Sequence, residues 1–176
     1  MKKIIFPILL ISIFSSCKKQ NTEIPIDTIS FDGREFNYSP TADRYTQTGN
    51  YPYILVIGGR STDGQYAPSF GISILSNTPI TTTGTFSEFA PAGSPVVRMG
   101  TWSYAGRANP GIMYEASGLI PSSFPATVTI TAISKTSIQG TFTGTLYSVT
   151  SASDSIRITN GRFYVRFDRS IFFNIF

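Results

Sequence analysis

The chain has no histidine and a single cysteine, Cys17. The first absence removes Ser–His and Cys–His nucleophile systems and most zinc or copper sites, all of which depend on imidazole. The second leaves no disulfide within the domain, so its stability has to come from packing. Charged residues make up only 14% of the chain. No apolar run approaches the roughly 20 residues that a spanning helix needs. Gly58-Gly59 begins a loop without the helix and lysine of a phosphate-binding loop. No acidic spacing matches a calcium loop. No cofactor or metal is implied, and no internal repeat is evident.

What is there begins at the N-terminus. Lys2 and Lys3 precede an apolar run of eleven residues, Ile4 to Phe14, interrupted by Pro7. That length and charge order suit the h-region of a cleaved signal peptide. Phe14-Ser15-Ser16-Cys17 resembles a bacterial lipobox, with Phe14 where leucine is more usual. The resemblance implies cleavage before Cys17, a diacylglycerol on its thiol and an acylated amine. Each buried CH₂ contributes about 0.8 kcal/mol, and two or more chains anchor stably. The expected divisions are a signal peptide over 1–16, a lipidated tether over 17–27 and one β domain over 28–176. The tether is polar and contains Pro25, so it cannot bury enough apolar area to fold alone.

The net charge of +4 belongs largely to this leader. Lys2 and Lys3 leave with the signal, and Lys18 and Lys19 sit beside the lipid. Basic and acidic side chains nearly balance beyond them, so the basic pI implies no nucleic-acid partner.

From Thr28 onward, short apolar or alternating runs are separated by Gly, Pro, Asn and Asp, and no window sustains helical spacing. The fold class expected is all-β: an antiparallel sandwich, or alternatively a small barrel, of nine or ten strands. Asp32-Gly33 is placed to turn Ile29–Phe31 back onto Arg34–Tyr38. Asn160-Gly161 predicts a two-residue hairpin that sets Ile158 opposite Phe163 and Ile156 opposite Val165. A second hairpin is predicted from Thr127–Ile133 through Ser134-Lys135-Thr136 to Ile138–Val149, with Ile138, Gly140, Phe142, Gly144 and Leu146 on one face. Further strands are expected at 51–57, 70–75, 85–89, 96–104 and 111–116, with loops at 39–50, 58–67 and 105–111. The closing aromatic run, 171–176, reads as a final buried strand.

Several of these features occur together in one group of proteins. The lipobox, Phe31-Asp32-Gly33-Arg34-Glu35-Phe36, the run Ile138-Gln-Gly-Thr-Phe142, and Ile158-Thr-Asn-Gly-Arg-Phe163 resemble those of lipoproteins from Bacteroidota-type Gram-negative bacteria, a family of unassigned activity. The resemblance covers most of the mature chain, and its motifs mark turns and core positions. It implies an outer-membrane lipid anchor in the cell envelope. Lys18 after the cysteine, with no acidic run following, favours the periplasm-facing leaflet over the cell surface.

The residues that could carry chemistry are few. Glu88, Glu115, Asp154 and Asp168 are the candidates for the paired carboxylates of glycoside hydrolysis, and nothing in their spacing selects a pair. Trp102 and Tyr104 lie two apart in one strand, with Tyr114 in the next and Arg107 between, an arrangement that suits stacking on sugar rings. The competing reading packs Trp102 into the core. Arg157, Arg162, Tyr164 and Arg166 form a polar stripe that reads as a solvated face. The functional expectation is a lipid-anchored, non-enzymatic binding or accessory module for a glycan or protein partner. Ligand contacts fall at Trp102, Tyr104, Arg107 and Tyr114, and lipidation at Cys17. The alternatives are a structural or assembly lipoprotein and, third, a two-carboxylate glycan hydrolase.

Overall fold

The computed structural model describes residues 27–32, 34–36, 38–60, 68–103, 113–120 and 122–167. The signal peptide, Cys17, the tether as far as residue 26 and the run from Ile171 lie outside the described residues. Among the described residues every regular element is a strand: β1 Thr28–Phe31, β2 Arg34–Glu35, β3 Tyr38–Thr46, β4 Tyr53–Arg60, β5 Pro68–Ser76, β6 Gly84–Ser87, β7 Val96–Ser103, β8 Met113–Ala116, β9 Thr127–Ile133, β10 Ser137–Ser148 and β11 Ser151–Arg166. The all-β expectation holds, with eleven strands where nine or ten were expected.

All eleven strands belong to one sheet, ordered β2-β1-β11-β10-β9-β6-β7-β5-β4-β3, and β8 bridges β10 to β7. The path β10–β9–β6–β7–β8–β10 is therefore a closed ring of five strands. Of the two arrangements expected from sequence, this ring is the barrel one. Beyond it the sheet curls further, because Ala42 of β3 bridges Phe167, just past β11. The Arg44 guanidinium lies 4.2 Å from the Phe167 ring centroid. It also donates to the Ser134 carbonyl at 3.3 Å, which ties that seam to the β9–β10 turn.

The core is a phenylalanine cluster. Phe31, Phe36, Phe70, Phe142 and Phe163 form a chain of ring contacts, with centroids 4.9 to 6.4 Å apart. All five are nearly inaccessible to solvent. Burying each is worth about 1.5–3 kcal/mol. In a domain without internal disulfides this packing is the main source of stability.

Two sequence expectations hold closely. Asp32 turns β1 onto β2 with a φ of 48°. The β9–β10 hairpin has its turn at Ser134–Thr136, where Ser134 Oγ accepts the amides of Thr136 and Ser137. Ile138, Gly140, Phe142, Gly144 and Leu146 are all buried, as the alternation requires.

Two others are corrected. The expected loop at 39–50 is mostly β3, paired with β4 from Tyr38↔Arg60 to Thr46↔Tyr53. Pro40 falls within a register shift between Tyr38 and Thr41, where the ladder is interrupted and a strand tolerates proline. Likewise, Gly58–Arg60 of the expected loop at 58–67 completes β4.

The Asn160-Gly161 hairpin does not form. Ser151 to Arg166 is one continuous strand, paired along its length with β10. The ladder steps from Phe142↔Gly161 to Gly144↔Ile158, so Thr159 and Asn160 together face Thr143. That is a one-residue β-bulge. Neither Asn160 nor Gly161 has the positive φ that a type I′ turn needs. A bulge and a two-residue turn both slip the alternation between Ile158 and Phe163, so both satisfy the same hydrophobic pattern.

Candidate functional site

The long strand β10 carries the site at its far end. Its last residues, Tyr147 and Ser148, pair with Glu115 and Tyr114 of β8. The Val149 amide donates to the Met113 carbonyl at 3.0 Å. The β10–β11 turn and the segment after β8 then enclose an open cleft of about 290 Å³. Glu115 and Tyr147 stand in it together with Ser117, Leu119, Thr150 and Ser151. A second cleft of about 170 Å³ adjoins it on the outer face of the sheet, with Glu115 and Ser117 common to both. Its floor includes Gly71 and Gly100, which are cross-strand partners, and Gly100 pairs onward with Glu115.

Glu88 fixes the wall of the larger cleft. Its side chain is 5% exposed. One carboxylate oxygen accepts the Gly118 amide at 2.7 Å and the other the Ala126 amide at 2.9 Å. The Glu88 backbone amide donates in turn to the Ala126 carbonyl at 2.8 Å. Both oxygens thus hold Gly118 and Ala126 in place, the arrangement a buried carboxylate needs in place of water. Glu115 differs. Among the described residues no group hydrogen-bonds or ion-pairs with its carboxylate, and it is only partly buried.

The other candidate carboxylates fall apart. The Asp154 carboxylate accepts the Tyr114 hydroxyl at 2.7 Å, out on β11. That bond, with partial desolvation and the carboxylate charge, raises the Tyr114 phenol above its ordinary pKa. Asp168 lies outside the described residues.

Among the ligand candidates, Tyr104 and Arg107 lie outside the described residues, as does Cys17. Trp102 occupies β7 opposite Met113, whereas Tyr114 is opposite Thr101. Successive strand residues face opposite sides, so Tyr114 shares the side of buried Thr101, and its ring packs against the core. The arginine stripe is divided as well. Arg157 stacks on Phe124 at 4.2 Å, Arg162 is solvated, and Arg166 pairs with Asp27 at 2.9 Å.

Tyr147, Ser117, Thr150 and Ser151 carried no functional signal in the sequence. Serine and threonine are abundant throughout, and only the β10–β11 turn and the register of β8 bring these together. Among the described residues no cluster of three His, Cys, Asp or Glu is placed to hold a metal ion.

Fold and site define a class: a small β-barrel with an open, hydroxyl-rich cleft at one end. No protein-family model matches the chain, and no curated protein or solved structure shows significant similarity to it.

Proposed function

We propose that this is a lipid-anchored protein of the Gram-negative cell envelope, held at the outer membrane through Cys17 with its domain toward the periplasm. The domain acts as a non-enzymatic binding module for a glycan or a protein partner, within the lipoprotein family its motifs resemble. The anchor rests on the lipobox-like Phe14-Ser15-Ser16-Cys17. The binding role rests on one observation: Glu115, a carboxylate without a partner among the described residues, stands where two surface clefts meet. The hydrolase alternative is weakened because Glu88 and Asp154 are engaged by backbone amides and by Tyr114 respectively.

The test has two parts. Cys17→Ala should leave the domain folded and move it from the membrane fraction to the soluble one; retention in the membrane pellet would overturn the anchor. The detergent-solubilised full chain should bind members of a glycan array or a panel of envelope proteins, and lose that binding on Glu115→Ala. If neither panel binds, the structural-lipoprotein alternative takes its place.

A further inference from the structure

From the larger cleft we infer that the ligand is a neutral glycan, bound at the end of the domain farthest from the anchor. The inference rests on the binding-module reading and names its ligand class.

The lining carries the chemistry. The hydroxyl-bearing residues Ser117, Tyr147, Thr150 and Ser151 line the cleft with Glu115, and the Ser151 hydroxyl shares a hydrogen bond of 2.9 Å with that of Ser153. Hydroxyls both donate and accept, and a carboxylate accepts from several donors at once. This set matches the edges of a sugar ring, whose hydroxyls are also mixed donors and acceptors. The hydroxyls of Ser148 and Thr150 share one hydrogen bond of 3.0 Å, which fixes the Thr150 side chain at the cleft. Apolar surface lies beside the polar groups: Leu119 is 79% exposed and Val149 51%. Such surface packs against the C–H face of a sugar. A volume of about 290 Å³ lies at the low end of the roughly 300–1,000 Å³ typical of small-ligand sites. One or two sugar units fit it, and the open mouth lets a longer chain continue outward.

Charge narrows the class. None of the described residues lining the larger cleft is cationic, and Glu115 contributes a negative charge; Arg98 belongs to the adjoining cleft, where its guanidinium donates to the Ser117 carbonyl at 2.8 Å. Within the larger cleft an anionic sugar or phosphate would therefore meet the Glu115 charge with no cation among the described lining residues. The other acid in the lining, Glu88, already has both oxygens on backbone amides. A single free carboxylate among several hydroxyls favours hydrogen-bonded recognition of a neutral ligand over capture of a strongly cationic one.

Position follows from Asp27, the last residue of the tether. Its carboxylate accepts the Arg166 backbone amide at 2.9 Å and the guanidinium at 2.9–3.1 Å. Arg166 pairs with Ser137, where β10 begins. The cleft lies at the other end of that strand, beyond Tyr147. β10 has 12 residues, and at about 3.3 Å per residue it separates tether and cleft by roughly 35 Å. The cleft therefore lies at the end of β10 opposite the point where the tether joins the domain.

The test is calorimetric titration of the full chain with three probes: neutral linear hexose oligosaccharides, uronic-acid oligosaccharides and a lysine-rich peptide. Binding is expected for the neutral probe alone. It should weaken at least tenfold with Glu115→Ala, and Ser151→Trp, which fills the cleft mouth from an exposed position, should abolish it; circular dichroism confirms that both variants fold. Affinity should be unchanged for protein anchored in vesicles. Binding of the acidic probe or the peptide in place of the neutral one overturns the ligand class and leaves the binding-module reading standing. Neutral binding that ignores both substitutions overturns the site, and binding lost on vesicles overturns the membrane-distal placement. Silence from all three probes, together with silence from the protein panel, overturns the module reading itself.

Discussion

The ring of Phe142 fills the space where any side chain at residue 161 would begin. A Cβ on Gly161 would lie 2.3–2.5 Å from Cδ2, Cε2 and Cγ of that ring. The two residues are cross-strand partners, and the next pair on the same face repeats the relationship in reverse, with Phe163 over Gly140. Gly161→Ala should therefore destabilise the domain by about 1–3 kcal/mol, the usual cost of overpacking a core. Phe142→Leu should recover part of that loss when combined with it. Exposed Asn160 sits in the bulge, so Asn160→Ala should stay within about 0.5 kcal/mol of the parent, the range of surface changes. Urea denaturation of the four proteins decides the matter. A large cost at Asn160 with none at Gly161 would indicate a turn there and not a bulge.

That relationship also explains where the sequence was legible. Alternation found the buried face of β10, and local turn chemistry found Asp32 and Ser134–Thr136, because each is settled within a few residues. Asn160-Gly161 misled because its glycine answers a partner nineteen positions earlier, Phe142, and not a local turn. β3 was hidden for a similar reason: Asp43 and Arg44 interrupt its apolar pattern, and the structure accommodates them through Tyr45 and Phe167. The cleft was the least legible part. Glu88 and Glu115 stood out as carboxylates, but only the long-range bonds to Gly118 and Ala126 separate the structural acid from the unpartnered one.

Glu88 should behave as a clamp. Glutamine keeps its shape but replaces one acceptor with an NH₂ group, which then faces a buried amide. Hydrogen bonds to charged groups contribute about 1.5–3 kcal/mol each. Glu88→Gln should thus cost about 2 kcal/mol and Glu88→Ala more. Hydrogen exchange should show the Gly118 and Ala126 amides losing protection first. If both remain protected in Glu88→Ala, the clamp assignment is wrong.

Tyr114 gives the domain an alkaline limit. Its hydrogen bond to Asp154 raises the phenol above its ordinary value in the folded state, whereas the unfolded chain titrates near pH 10. A raised folded pKa means that the bond's contribution is intact below about pH 10 and is lost as pH climbs through the folded value. Tyr45 shifts the same way, through desolvation and then its 3.1 Å hydrogen bond to Asp43. Tyr114→Phe should be less stable than the parent near neutrality, and the gap should close above about pH 10. Urea midpoints on either side of that pH measure it, and a gap that widens with pH would reverse the sign argued here.

The Asp27–Arg166 contact should prove a local fastening and not a global prop. Arg166 is 63% exposed in its side chain, and such ion pairs are weak and screened by salt. The same carboxylate, however, accepts the Arg166 backbone amide at 2.9 Å, a bond that salt does not screen in the same way. Asp27→Ala should leave the thermal midpoint nearly unchanged while the Arg166 amide exchanges faster. The amides of Phe163 and Val165, deeper in β11, should keep their protection. In the parent, added salt should loosen the guanidinium contact before the amide becomes exposed. Accelerated exchange spreading along β11 would instead make Asp27 part of the cooperative fold, and the domain would then begin before its first strand.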